Sequence, residues 1–94
     1  MKWIVSVHEK NGHLEEFRVL GWSLDRPDIE FQFDKKIIVN AIKNGAEYKT
    51  AYLQFGKFVE GSEVTVIENR DGSCELRTKK NDMIIDNLGE MKRF

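Results

Sequence analysis

Residues 3–20 read Trp3-Ile4-Val5-Ser6-Val7-His8-Glu9-Lys10-Asn11-Gly12-His13-Leu14-Glu15-Glu16-Phe17-Arg18-Val19-Leu20, and their punctuation decides the fold class. Two strand-like runs flank Asn11-Gly12, a dipeptide that adopts positive φ easily and marks a β-hairpin. Register then depends on which side chains share a face. A two-residue turn sets Val5 opposite Arg18 and Val7 opposite Glu16, which mixes apolar and charged groups. A three-residue loop, Lys10-Asn11-Gly12, pairs Trp3 with Val19, Val5 with Phe17 and Val7 with Glu15. Trp3, Val5, Val7, Phe17 and Val19 then share one face. A slip of one residue turns one strand's apolar set to water. The expectation is therefore the three-residue loop, with Gly12 in the left-handed bulge position that glycine adopts without steric cost.

The same reasoning applies to Val64–Glu68 and Ser73–Thr78, which flank Arg70-Asp71-Gly72. Taking those three as the loop pairs Val66 with Leu76 and Glu68 with Cys74, and puts Val64, Val66, Cys74 and Leu76 on one face. A two-residue turn would set Glu68 against Glu75, an unfavourable like-charge pair.

Between the hairpins lies one helix. Asp34 is an N-cap, Phe33 can staple onto Ile38, and Gly45 after Asn44 is a stop signal. Ile37, Ile38, Ala41 and Ile42 form an apolar stripe at helical spacing. A helix this short needs a sheet to dock on. Ala46 to Phe55 reads as a strand, and Gly56 to Gly61 as a loop with Phe58 and Val59 turned inward. In Gly21 to Gln32, Pro27 and charges indicate loop, while Ile29, Phe31 and Phe33 alternate like a short strand. Met83-Ile84-Ile85 is an apolar knot before a turn-like Asp86-Asn87-Leu88-Gly89. The expected fold is a single α+β domain over residues 1–94, in the order β-β-α-β-β-β. One helix packs on a mainly antiparallel sheet of about five strands.

Composition narrows function more than it names it. At 94 residues there is room for one core, and 40% hydrophobic content fits a globular chain. One Cys excludes an internal disulfide, and no apolar run reaches the roughly 20 residues of a membrane span. Net charge is −1, so no global field pulls the chain to nucleic acid or membrane. The distribution is uneven: residues 1–34 carry four basic and seven acidic groups, residues 76–94 five and three.

Catalytic and metal-binding constellations are not evident in the sequence. His8 and His13 diverge in the preferred register, and Cys74 sits in a strand beside Glu68, which would raise rather than lower its pKa. Glu15-Glu16 and Asp25…Asp28 are ordinary surface patterns, and phosphate-loop and nucleophile-elbow motifs are absent. The expectation is no enzyme, no metal and no cofactor. Tyr48, Thr50 and Tyr52 fall on one strand face, and Ala51, Leu53 and Phe55 on the other. If the second set is core, the first is a displayed ladder that can stack a base or anchor a partner, with Arg77 adding charge. Otherwise the helix or the 21–32 loop covers it. Arg77-Thr78-Lys79-Lys80 can meet phosphate or simply be a solvated strand end.

Asp71-Gly72…Leu76-Arg77-Thr78…Asn81…Asp86-Asn87-Leu88…Met91…Phe94 resembles the closing signature of a family of small bacterial and phage proteins, known only as a domain of unknown function. The likeness extends to the opening hairpin, Ile42…Asn44-Gly45, Thr50 and Gly61-Ser62-Glu63-Val64. It departs at Met91-Lys92, where that family tends to have Leu-Pro, and in a longer stretch from Trp22 to Phe33. The resemblance implies the α+β fold, a non-catalytic role and a bacterial or mobile-element origin, and it supplies no substrate. The sequence reading is thus a cytoplasmic binding module acting on a protein partner or as a homo-oligomer. Sequestration of a small ligand or nucleotide on the Tyr48/Thr50/Tyr52 face with Arg77 comes second, and nucleic-acid binding third.

Overall fold

The structure is a computed structural model that describes residues 1–79 and 91–94. Strand β1 (Lys2–Lys10) meets β2 (His13–Leu20) through a two-residue turn, with Lys10 paired to His13. The three-residue loop expected for this hairpin is therefore corrected. Asn11 and Gly12 take φ of 53° and 81°, the double left-handed geometry whose twist matches that of paired strands. The apolar mismatch that argued against this turn is absorbed by two irregularities, between Ile4 and Ser6 and between His8 and Glu9. Val5 is the extra residue on β1 and Glu15 the extra residue on β2. Between them Val7 pairs with Phe17, and beyond Val5 Ile4 pairs with Val19. All four of these side chains are fully buried. Trp3 is turned to the other face, where its Nε1 donates to Glu60 Oε1 at 2.9 Å.

The Ile29/Phe31/Phe33 alternation becomes β3 (Glu30–Asp34), antiparallel to β2. Phe31 stacks on Phe33 with ring centroids 5.9 Å apart. Its ring also lies over Gly21, where a Cβ would come within 2.5 Å, so any larger residue there would have to displace the Phe31 ring. Helix α1 (Lys35–Lys43) starts and stops where its caps place it. Asp34 Oδ1 accepts from the Ile37 amide at 2.9 Å. Gly45, at φ 98°, donates to Ile42 O, and Ala46 donates to Ala41 O, the paired bonds that satisfy orphan carbonyls at a helix end.

After α1 come β4 (Tyr48–Gln54), β5 (Lys57–Glu68) and β6 (Cys74–Thr78). Residues 56–61 are not the expected loop: Phe55-Gly56 is a second two-residue turn, joining Gln54 to Lys57. The β5–β6 hairpin has the expected register, with Val66 opposite Leu76 and Glu68 opposite Cys74. Asp71 Oδ1 accepts from both the Ser73 amide and hydroxyl in its loop. Met83–Gly89, with Lys80 and Asn81, lies outside the described residues.

Among the described residues the sheet order is β3-β2-β1-β4-β5-β6, with β1 and β4 parallel and the other neighbouring strands antiparallel. The described residues thus give six strands where about five were expected, because β3 forms. Six strands laid flat would span about 24 Å. Helix α1 nevertheless touches β2 and β3 near one edge and β5 and β6 at the other, so the sheet wraps around it. Lys35 at the helix start stands 3.7 Å from Glu75 of β6, across the wrap. Ile38 and Val39 fill the enclosed core with Ile4, Val7, Phe17, Val19, Tyr48, Val64 and Leu76. Among the described residues no helix is long and apolar enough to cross a membrane.

Candidate functional site

Two features around the end of β4 stand out. The first is the β4–β5 tip. Phe55 has φ 52° and Gly56 φ 79°, nearly the angles of Asn11 and Gly12. Phe55 is 99% exposed and Leu53, two residues before it, 59%. The second is a cleft of about 300 Å³ beside that tip, with an apolar lining that includes Val5, Ala51, Leu53, Phe58, Met91 and Phe94. It opens where the sheet comes apart. Strand β4 pairs with β1 only from Lys2 to Ile4, and further along β1 the partner is residue Arg93, bridged in parallel to Val7. Val7 N donates to Lys92 O at 2.9 Å, and Phe94 N donates to Val7 O at 3.0 Å.

The cleft's polar groups are Arg18, Glu30, Ser6, Tyr52 and Lys92. Arg18 stands 3.6 Å from Glu30 and places its guanidinium 4.3 Å from the centre of the Phe94 ring. Below the tip, Glu60 accepts from the Trp3 indole and from Lys49. The Trp3 N–H, with a smaller contribution from Lys49, holds its carboxyl below the usual glutamate range.

The residues expected to form a ladder do not form one. The alternation along β4 is as read, and of the two alternatives left open the covered one holds for Tyr48 and Thr50. Tyr48 is buried in the core with Ile38 and Val39, and Thr50 is fully buried. Burial pushes the Tyr48 phenol above its ordinary pKa. Thr50 Oγ1 accepts from the Ser62 amide at 2.9 Å and so clips the β4–β5 irregularity. Tyr52 is half-buried at the cleft rim. Arg77 is exposed on β6, opposite Thr65, whereas Tyr52 is opposite Val59. Six residues of β5 separate these partners, about 20 Å along an extended strand. Arg77 and Tyr52 therefore cannot grip one small ligand.

The sequence reading set Leu53 and Phe55 on the candidate core face of β4 and gave Arg18 and Phe94 no functional role. The spacing Gln54-Phe55-Gly56-Lys57 between two β-rich runs was the available signal for the tip. His8 Nδ1 lies 2.6 Å from Phe94 O, and His13 lies 4.0 Å from Glu75. Cys74 packs against the core. No cluster of three or more His, Cys, Asp or Glu among the described residues could hold a metal ion.

With this geometry in hand, the chain belongs to DUF3892, a family described as a protein of unknown function, whose family model matches residues 3–92. No curated protein matches the chain, and no solved structure matches it.

Proposed function

We propose that this family member is a non-enzymatic binding module that grips a protein partner through the β4–β5 tip and the adjoining cleft. One observation carries the reading: a bulky apolar side chain, 99% exposed, on a left-handed backbone at φ 52°. That backbone costs a non-glycine residue about 1–2 kcal/mol. Leaving a Phe in water forgoes a further 1.5–3 kcal/mol or so of burial. At 99% exposure nothing among the described residues offsets either. Burial against a second surface does, and Leu53 beside it widens the contact. The net charge of −1 favours an apolar contact over an electrostatic one. The resemblance set out above supports a bacterial or phage origin, and the composition of the sequence supports a cytoplasmic setting.

The test is photo-crosslinking in the bacterial cytoplasm, with a benzophenone amino acid replacing Phe55 in one protein and Asn11 in another. A discrete adduct from position 55 alone is the expected result, and its mass separates a second copy of the chain from another protein. No adduct, or the same smear from both positions, overturns the reading.

A second reading, sequestration of a small amphipathic ligand, has one observation in its favour: the cleft sets Arg18 and Lys92 against an apolar lining. Native mass spectrometry showing added mass that vanishes on denaturation would favour it.

A further inference from the structure

We infer that the edge of β1 beyond Ile4 is a docking groove for an extended peptide segment of a partner protein, and that Met91–Phe94 is its resident, displaceable occupant. The inference rests on the binding-module reading and adds the form of the partner. The groove is a strand edge that β4 leaves at Ile4. The resident shows what fits. Its main chain bonds to both the N–H and the C=O of Val7. The Phe94 ring packs on His8 at 5.6 Å and under Arg18 at 4.3 Å, and Phe94 O sits 2.6 Å from His8 Nδ1. Main-chain bonds of this kind supply affinity, and the side-chain seats supply specificity. The fitting ligand is a parallel strand with a large apolar residue followed, three positions on, by an aromatic, as Met91 and Phe94 are here.

Displaceability concerns the outer end of the resident: Met91 packs in the core cluster, whereas the three residues after it lie outside that cluster. Lys92 and Arg93 are exposed, Phe94 is half-buried, and only Met91 is buried. The strand beneath is anchored by Ile4 and Val7, both fully buried, in the cluster that Met91 joins. A segment with few buried contacts over a well-packed strand opens without global unfolding. The resident also leaves the cleft of about 300 Å³ at its flank unfilled. A longer partner segment reaching Val5, Leu53 and Phe58 gains contacts there that the resident does not make.

The experiment titrates the peptide acetyl-Met-Lys-Arg-Phe-amide into full-length isotope-labelled protein, as wild type and as Phe94→Ala, and follows the amide resonances of Ser6, Val7 and His8. The expected result is saturable shifts in Phe94→Ala and at least tenfold weaker binding in wild type, where the resident competes. The peptide with Ala in place of its Phe should bind at least tenfold more weakly than the parent. Absence of shifts in a natively dispersed Phe94→Ala spectrum, or equal binding of both peptides, overturns the inference. Hydrogen exchange in wild type gives a reading that needs no variant. The Val7 amide should exchange at least tenfold faster than β2 amides facing β1, and equal rates overturn the inference. A crosslink from position 55 with no peptide response at Val7 sinks the groove and leaves the binding-module reading standing.

Discussion

Two turns in this molecule have the same shape and opposite chemistry. Asn11-Gly12 and Phe55-Gly56 each join paired strands in two residues, with φ of 53° and 81° in one and 52° and 79° in the other. At the first, Asn is among the few non-glycine residues that tolerate the left-handed region. At the second, a Phe holds the same conformation and touches almost nothing. The backbone does not ask for Phe at position 55, and no contact among the described residues does either. The comparison separates what a turn needs from what a surface displays.

The comparison can be broken in three ways. Installing the odd residue at the ordinary turn, Asn11→Phe, should lower unfolding free energy by about 1–2 kcal/mol in urea denaturation. A cost near zero would mean that an exposed Phe in this conformation is not strained. Gly12→Ala and Gly56→Ala should each cost about 1 kcal/mol, equal within error because both positions have positive φ and open space around the Cβ. A clear inequality would show that the two turns are not equivalent.

The smallest effect concerns Glu60, which braces the hairpin below Phe55. Its carboxyl is held low chiefly by the Trp3 N–H. Its folded-state pKa is therefore below its unfolded one. The stabilisation is complete above the unfolded value and is lost as pH falls through the folded one. Because Glu60 is largely exposed, the contribution is under about 1 kcal/mol. Glu60→Gln should flatten the loss of stability between about pH 5 and about pH 3, measured as the difference in urea midpoint from wild type. An unchanged profile would remove the brace from the account.

How much of this was legible depended on whether local chemistry or the wrapped sheet decided the outcome. Arg70-Asp71-Gly72 was read in its true register because Glu68 against Glu75 rejects the alternative locally. Asp34 and Gly45 bounded the helix for the same reason. The first hairpin was misread because uniform pairing cannot foresee extra residues at Val5 and Glu15 that restore the apolar face midway. The β4–β5 hairpin was missed because Phe is not a turn former, which is also what makes it informative. On β4 the alternation was legible but the choice of face was not. Tyr48 faces the core because the sheet wraps α1, a tertiary fact. Arg18, Leu53 and Phe94 line one cleft only because β4 parts from β1 after Ile4, and no spacing in the chain announces that.

The central claim is that the strain and exposure at Phe55 go unrepaid within the molecule. The most direct test is the unfolding free energy of Phe55→Asn against wild type, by urea denaturation. The account predicts that the variant is more stable by about 1 kcal/mol, since Asn suits the left-handed position and no contact is lost. A variant less stable than wild type would show that Phe55 serves its own fold, and would contradict the account.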